Sequence, residues 1–352
     1  MSNTNKTKKT KAALYILLII LSSVTLIAIV VCAVLTKERL DEKAKQEAAV
    51  SLNAATEKTY TQAEVDTLIE EAYNRGQADK DEEYLEYIKA DASTTGANYA
   101  GLLRKLFPDD MVYMTGNKFK FVPINTDLPL SALNPDNLVV CDNGEIKYTD
   151  GSSTISKMGI DVSEYQGEID WTAVADFGVD FAILRAGYRG YVSGAMVEDS
   201  NVITNIEGAT ENGIEVGLYY FSQAVTEEEV KEEASVLINF ANEYSISGPL
   251  VIDIEKIESD SARGNALTQE ERTLLVNCFC EEIKNAGYTP MIYGNINSLF
   301  EMLDYNKIGT EAIWYASYTQ NYYFPYAATV WQYSDSLTVP GIDGKVDADI
   351  WF

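Results

Sequence analysis

Two carboxylates end a strongly apolar stretch of the sequence, Pro249-Leu250-Val251-Ile252-Asp253-Ile254-Glu255. The β-branched residues in it predict a buried strand, and because side chains alternate along a strand, Asp253 and Glu255 should point to the same side. Their Cα atoms would then lie roughly 6.5–7 Å apart. Two close carboxyl groups in a partly dry place differ in pKa, so that one can donate a proton while the other stays charged. The pair therefore indicates hydrolysis of a glycosidic bond, whereas the simpler alternative is that both acids cap the loop after the strand.

Further polar side chains lie at the ends of other apolar runs. Asp161 ends the first run after residue 155, and Asp347 and Asp349 belong to the last one. The aromatic, amide and cationic candidates near these ends are Arg185, Tyr219, Tyr220, Tyr293, Tyr318, Trp331 and Gln332. The 23 tyrosines offer flat apolar faces that carry hydroxyl groups, which suits sugar rings, although most of them must serve ordinary packing. Acids from three separate strands are therefore the stronger indication of a binding cleft.

The elements that must position these residues are short apolar runs, which alternate with helical patterns from residue 155 to the end. Thr226 and Thr268 each begin a helix with a capping box, and Gly287 ends the second helix. Alternation over about 200 residues predicts a parallel (β/α) barrel of the TIM type, with the functional groups at the carboxyl ends of the strands. Because helical patterns are weak in the last third, we expect an irregular barrel.

The composition limits the partners and the catalytic mechanisms that are possible. A net charge of −27 argues against nucleic acid and against anionic lipid headgroups as partners. The chain contains no histidine, which excludes Ser-His-Asp and Cys-His catalysis and every metal site built on imidazole. Acid–base chemistry must therefore use carboxylates, tyrosine, lysine or cysteine, and no cofactor or metal is needed.

The sequence before the barrel divides into four parts by composition. Residues 1–11 carry four lysines and residues 12–35 carry no charge, which predicts a cytoplasmic tail and a single transmembrane helix. An uncleaved anchor is favoured over a signal peptide, because the apolar run is long and no convincing small-residue cleavage site follows it. Residues 36–95 are expected to form a helical stalk, and residues 96–150 a small α+β module that acts as a spacer. The lipid bilayer is thus the partner of residues 12–35, and the barrel should lie outside the cell membrane, facing the wall.

Residues 158–352 resemble the glycoside hydrolase family 25 lysozymes, which are N-acetylmuramidases. The motifs that carry the resemblance are Gly159-Ile160-Asp161-Val162-Ser163-Glu164-Tyr165-Gln166-Gly167, Ile169-Asp170-Trp171, Phe181-Ala182-Ile183-Leu184-Arg185-Ala186, Gly217-Leu218-Tyr219-Tyr220-Phe221, Asp253-Ile254-Glu255, Ile313-Trp314-Tyr315-Ala316, Trp331-Gln332-Tyr333 and Val346-Asp347. The resemblance does not extend to residues 1–150. Two positions depart from the family pattern: Tyr220 stands where many members have histidine, and Asp349 where many have asparagine.

The resemblance implies an incomplete (β/α) barrel and cleavage of the β-1,4 bond between N-acetylmuramic acid and N-acetylglucosamine in peptidoglycan. It assigns the catalytic acid to Glu255, the assisting carboxylate to Asp253, and further site acids to Asp161 and Asp347. Asp253 could attack as a nucleophile, activate water, or orient the substrate's own acetamido group. Asp349 and the aromatic, amide and cationic candidates named above are expected to contact the glycan.

Three functions remain open on the sequence. The first is a membrane-tethered muramidase whose substrate is the glycan strand of peptidoglycan. The second is a wall-binding protein with weak or lost catalysis, and the complete set of four acids counts against it. The third is an assembly protein whose residues 36–150 recruit a membrane partner, such as a secretion or conjugation machine, and whose barrel remodels the wall locally.

Overall fold

The computed structural model describes residues 58–75, 99–319 and 321–352, and the described residues from Tyr60 onward form one compact unit. The predicted cytoplasmic tail (1–11), the predicted transmembrane helix (12–35) and most of the predicted stalk lie outside the described residues. Among those that are described, no helix combines the length and the apolar character needed to cross a membrane.

A small α+β fold begins the described part of the chain. It contains β1 (Lys58–Thr61), α1 (Gln62–Arg75), α2 (Tyr99–Leu106), β2 (Asp110–Thr115) and β3 (Lys118–Pro123). The strands form one sheet in the order β1-β3-β2. Its core consists of Val65, Leu103, Val112, Phe119 and Phe121. Because Val65 of α1 belongs to this core, residues 58–75 are part of the fold, although composition alone predicts them as stalk.

A second antiparallel sheet leads into the barrel. Its strands are β4 (Leu138–Val140), β5 (Ile146–Asp150) and β6 (Ser153–Thr154), paired in that order. Gly151 lies in the left-handed region at φ 66° and makes the turn between β5 and β6. Residues 150–154, whose Gly and Ser content is typical of a linker, therefore form the tip of a hairpin. Ile146 is buried in the same core as the barrel residues. We refer to residues 58–75 and 99–150 together as the small module. Its second sheet shares its core with the barrel.

Eight strands close a barrel, as the sequence predicts. They are β7 (Lys157–Val162), β8 (Phe181–Arg189), β10 (Glu215–Phe221), β11 (Leu250–Asp253), β12 (Pro290–Asn295), β13 (Ala312–Ala316), β14 (Val330–Leu337) and β15 (Val346–Trp351). A ninth strand, β9 (Met196–Glu198), folds back on the end of β8 as a hairpin. The ring closes where β8 pairs with β10 and β15 pairs with β7. Inward side chains such as Phe181, Ile183 and Val251 form an inner core, and outward ones pack under the helices.

Strand β15 departs from the predicted parallel arrangement. It pairs antiparallel with β14 on one side and with β7 on the other. A short turn joins β14 to β15, and Gly341 and Gly344 adopt φ angles of 91° and 90° in it. Parallel neighbours need a crossover of a dozen residues or more, so this short connection can give only an antiparallel strand. As a consequence Asp347, near the start of β15, lies opposite Asp161, near the end of β7.

Helices cover only part of the barrel. They are α3 (Trp171–Phe177), α4 (Val202–Glu211), α5 (Glu227–Tyr244), α6 (Gln269–Asn285) and the short α7 (Tyr305–Ile308). The side chains of Thr226 and Thr268 cap α5 and α6 by accepting from the backbone N–H three residues on. β12 is followed by a single π-helical turn (Ser298–Met302) and α7, and the described residues between β13 and β14 contain no helix. The barrel is therefore irregular in its last third, as predicted.

The small module packs against this helix-poor side. The backbone N–H of Val112 donates to the Tyr323 hydroxyl at 3.1 Å, and the Arg104 guanidinium lies over the Tyr323 ring. Lys120 forms an ion pair with Glu301 at 2.6 Å. The module thus takes the place that outer helices occupy elsewhere on the barrel.

Candidate active site

The carboxyl ends of the parallel strands open into a cleft of about 250 Å³. The residues that line it are Asp161, Val162, Ser163, Tyr165, Gln166, Arg185, Tyr219, Phe221, Asp253, Glu255, Tyr293, Trp314, Tyr318, Gln332 and Asp347. The fold thus brings together all four acids predicted as catalytic and five of the side chains predicted to bind substrate.

Strand β11 positions two of the acids. Asp253 ends the strand, beside Phe221 on one neighbour and Tyr293 on the other, and Glu255 lies just beyond it in the following loop. Asp253 is 6% exposed, and no described group donates to its Oδ1. Burial raises the pKa of Asp253 well above its ordinary value, the charge of Glu255 adds to the rise, and Arg185 opposes it. Glu255 is more exposed, and burial raises its pKa as well. The pair therefore favours a state that retains a proton.

Asp161 is held by a hydrogen-bonded row of neutral side chains. The Gln332 Nε2 donates to Asp161 Oδ2 at 2.7 Å. The Gln332 Oε1 accepts from the hydroxyls of Tyr293, at 2.8 Å, and Tyr318, at 3.0 Å. Burial raises the pKa of Asp161 well above its ordinary value, and two neighbouring acids of β15 contribute to the rise. The row fixes the orientation of this carboxyl on the cleft wall.

Asp347 is the fourth acid of the cleft. Burial raises its pKa to about 6, and the charges of Asp335 and Glu255 act in the same direction. The four acids of the cleft thus all retain protons more readily than free carboxylates do.

Arg185 supplies the cleft with a positive charge. Its Nε donates to Asp199 at 2.7 Å, and its Nη2 donates to Glu164 at 3.0 Å. The ring centroid of Tyr165 lies 4.9 Å from the guanidinium carbon. Because two carboxylates already bind this cation, Arg185 acts on Asp253 as a nearby charge.

Two residues predicted to bind substrate face away from the cleft. Tyr220 is 1% exposed and belongs to the core under the helices, because strand alternation turns it opposite to Tyr219. Trp331 is 0% exposed and alternates in the same way with Gln332. Neither ring can contact a glycan in the cleft.

Asp349 also lies outside the cleft, for a different reason. It points into the barrel, but it is two residues deeper along β15 than Asp347 and is 0% exposed. Its Oδ1 accepts from the indole Nε1 of Trp314 at 2.7 Å. A direct contact of Asp349 with substrate is therefore ruled out by its depth.

Several cleft residues escaped the sequence prediction. Trp314 is the most prominent, since its ring lies between those of Tyr219 and Tyr293, at centroid distances of 6.1 and 4.5 Å. It lies in the middle of the apolar run of β13, where strand order and alternation together would have indicated an inward side chain. The others are Val162, Ser163, Tyr165, Gln166 and Phe221. Ser163 and Gln166 cap a short 3₁₀ turn, which also shapes the rim.

The arrangement suits acid-assisted cleavage of a sugar polymer. Carboxyl groups with raised pKa values can donate a proton near neutral pH, and a neighbouring carboxylate can stabilise positive charge at the anomeric carbon. The partly exposed rings of Tyr165, Tyr219 and Tyr318, which line the cleft, provide flat apolar surfaces for a pyranose.

Comparisons with known proteins agree with this chemistry. Residues 160–342 match the family model for glycosyl hydrolases family 25. The chain is 27% identical over 192 residues to an autolytic lysozyme of Clostridium acetobutylicum, with 54% of each chain covered. It is 27% identical over 214 residues to lysozyme M1 of Streptomyces globisporus, covering 56% of this chain and 68% of that protein. The match thus spans about half the length of the clostridial relative.

A similar fold occurs in a solved structure, that of the modular autolysin LytC of Streptococcus pneumoniae in complex with a synthetic peptidoglycan ligand. The TM-score is 0.51 at 24% identity, and the match covers 69% of this chain and 57% of the other.

Proposed function

The chain belongs to glycosyl hydrolases family 25, and we propose that it is a muramidase that cleaves the β-1,4 bond between N-acetylmuramic acid and N-acetylglucosamine in peptidoglycan. The observation that carries the proposal is the pair of Asp253 and Glu255 at the end of β11, in a cleft that also contains Asp161 and Asp347. The similarity to two proteins named as lysozymes supports it.

Glu255 is the general acid in this proposal. It is the more exposed member of the pair, so its carboxyl can reach a glycosidic oxygen while Asp253 stays on the cleft wall. A bound sugar would displace water from Glu255, and further burial raises a carboxyl pKa. Glu255 would therefore hold its proton until the leaving oxygen takes it.

Asp253 assists in our proposal by orienting the substrate's 2-acetamido group. The amide N–H of that group would donate to Asp253 Oδ1, which has no donor among the described residues. The acetamido oxygen would bond to the anomeric carbon as the glycosidic C–O bond breaks and the Glu255 proton passes to the leaving oxygen. Water would then open the ring formed by the acetamido group and return a proton to Glu255.

Inhibitors separate this role of Asp253 from its alternatives. A thiazoline that mimics the cyclised acetamido group should inhibit competitively, and a 2-fluoro glycoside should leave no covalent adduct. An adduct on Asp253 would identify it as a nucleophile. Inversion at the anomeric carbon would identify a base that activates water.

The decisive test of the function is the identity of the new chain ends. The full-length protein, incubated with purified peptidoglycan, should release fragments whose new reducing ends are N-acetylmuramic acid, as read by mass spectrometry after borohydride reduction. New N-acetylglucosamine ends would identify a glucosaminidase instead. Tight binding to the wall without new ends would favour the alternative of a wall-binding protein.

We further propose that residues 12–35 anchor the protein in the cell membrane, with residues 1–11 in the cytoplasm and the barrel facing the wall. The charge-free run and the lysines before it support this orientation. Protease added to intact, wall-stripped cells should digest the barrel. Full protection, or a mature form that lacks residues 1–35, would contradict the anchor.

A further inference from the structure

Asp349 is a buried carboxyl group that has no role in the proposed reaction. Its Oδ1 accepts from Trp314 Nε1 at 2.7 Å, and no neutral donor among the described residues reaches its Oδ2. The side chain is 0% exposed, so bulk water cannot supply a donor either. A buried carboxyl oxygen in this position needs a hydrogen from a neighbour.

The neighbour is Asp161. On the paired strands β15 and β7, Asp349 is opposite Gly159 and Asp347 is opposite Asp161, so Asp349 and Asp161 are diagonal neighbours, and each affects the pKa of the other. Asp161 Oδ2 is already occupied by Gln332 Nε2. Turning the Gln332 amide round would place its Oε1 against Asp161 Oδ2, which brings two acceptors together, whereas in the present orientation this Oε1 accepts from the hydroxyls of Tyr293 and Tyr318. Neutral donors therefore reach one oxygen of each acid. A hydrogen bond between the two carboxyl groups requires a proton that one of them carries.

We propose that Asp161 and Asp349 share one proton at neutral pH, and that this proton sets the orientation and the charge that Asp161 presents to the substrate. With the proton, the pair carries a single negative charge. Without it, two adjacent buried charges would be poorly solvated and would repel each other. Asp349 is thus a positioning residue that acts through Asp161. Its effect on rate depends on the proposed muramidase function, but the shared proton does not.

The groups around the pair favour this state. Burial raises the pKa of Asp161 well above its ordinary value and that of Asp349 to about 8, and the charge of Asp347 on β15 raises both. Tyr219, Tyr293 and Tyr318 face the pair from β10, β12 and the loop after β13, and their raised pKa values keep them neutral. Tyr333 lies with Trp331 on the outer side of β14, and its pKa is raised as well. On β11 Asp253 adds a further acid, and on β8 Arg185 is the cation of the cleft, already bound to Asp199 and Glu164.

The substitution Asp349→Asn tests the shared proton, because an amide can accept from Trp314 and donate to Asp161 at every pH. A carboxyl whose pKa is raised on folding stabilises the folded state at low pH and loses that contribution as pH rises through the folded value. The denaturant midpoint of the wild type should therefore fall relative to that of Asp349→Asn from about pH 4, where an unfolded aspartate ionises, and level off once the folded group has ionised at about pH 8. Asp176→Asn, at an exposed position of α3, should follow the wild type throughout.

Activity provides the second measurement. Loss of the Glu255 proton should lower the wild-type rate by about tenfold per pH unit, and loss of the shared proton should steepen this to about a hundredfold per unit above about pH 8. Asp349→Asn should remain active and keep the shallower slope. If Asp349→Asn does not fold, Asp161→Asn provides the same stability comparison, since the amide that it introduces can donate to the Asp349 carboxylate.

Parallel stability curves for the wild type and Asp349→Asn would overturn the proposal, and so would an Asp349→Asn protein that folds but is inactive at every pH. A wild type that cuts no peptidoglycan would refute the muramidase function instead, and the stability curves would still decide whether the proton is shared.

Discussion

The guanidinium carbon of Arg104 lies 3.4 Å from the centroid of the Tyr323 ring, and its Nε donates to the backbone oxygen of Val112 at 3.1 Å. One side chain thus joins α2, β2 and the connection between β13 and β14. Composition predicts that the module is a spacer, and a spacer would leave residues 155–352 fully active by themselves. The contact instead makes the module part of the outer layer, so we expect that fragment to be less stable than the full chain.

Loss of the Arg104 contact should weaken the whole unit. Arg104→Ala removes a partly buried cation–π contact and a hydrogen bond, so the free energy of unfolding should fall by about 1–3 kcal/mol. Arg104→Lys is the matched control for charge, and it should lose nearly as much because lysine lacks the planar group. Chemical denaturation measures both. Two variants as stable as the wild type would show that the contact does not hold the module to the barrel.

Removal of the proposed acid should abolish hydrolysis without unfolding the protein. Glu255→Gln should lower the rate of peptidoglycan cleavage by about 10²–10⁴-fold, because an amide cannot protonate the leaving oxygen. Glu258→Gln changes an exposed residue three positions further along the same loop and should retain wild-type activity. Activity of Glu255→Gln within a few-fold of the wild type would refute the assignment.

Asp253→Asn should lose activity and gain stability at neutral pH. Because the pKa of Asp253 is raised in the folded state, the free energy of unfolding falls as pH rises above the pKa of an unfolded aspartate. Asparagine does not ionise, so the variant should not show this fall. We expect a higher free energy of unfolding at pH 7, a difference that shrinks as pH falls, and no difference near pH 3, where both side chains are neutral. A variant that is less stable than the wild type at pH 7 would mean that the carboxylate is well stabilised in the cleft.

The neighbouring residues Tyr219 and Tyr220 should respond in opposite ways to loss of the hydroxyl. Tyr219→Phe removes a polar group that lines the cleft and should lower kcat/KM by about tenfold. The hydroxyl of Tyr220 is buried without a described partner, so Tyr220→Phe should leave activity unchanged and should not lower stability. Steady-state assays and thermal melts separate the two outcomes. Lost activity in Tyr220→Phe alone would contradict the placement of these rings.

The barrel and its acids could be predicted because each depends on a local pattern. Alternation along the predicted strand placed Asp253 and Glu255 on one side, and both line the cleft although β11 itself ends at Asp253. The same rule, applied to Tyr219 and Tyr220, would have removed Tyr220 from the predicted site. Depth along a strand is harder to predict, since Asp347 and Asp349 share a face and only the register with β7 shows which one is buried.

The docking of the small module could not be predicted from local patterns. Its contacts join Val112 to Tyr323 and Asn125 to Tyr326, which are 211 and 201 positions apart. Tyrosines in a loop without helical or strand periodicity give no signal for the surface that they contact. Composition therefore indicated a spacer where the fold has a packed layer.

These separations along the sequence also determine when, during synthesis, the module can dock on the barrel. The module emerges from the ribosome first and can complete the core around Val112 by itself, but Tyr323 follows 211 positions later. At roughly 5–20 residues per second, this delay is on the order of 10–40 s. During that interval the surface of the module that later contacts Tyr323 has no partner within its own chain. The nascent protein thus carries an open docking face until its barrel is nearly complete, and closure of β15 onto β7 and docking of the module both belong to the last steps of folding.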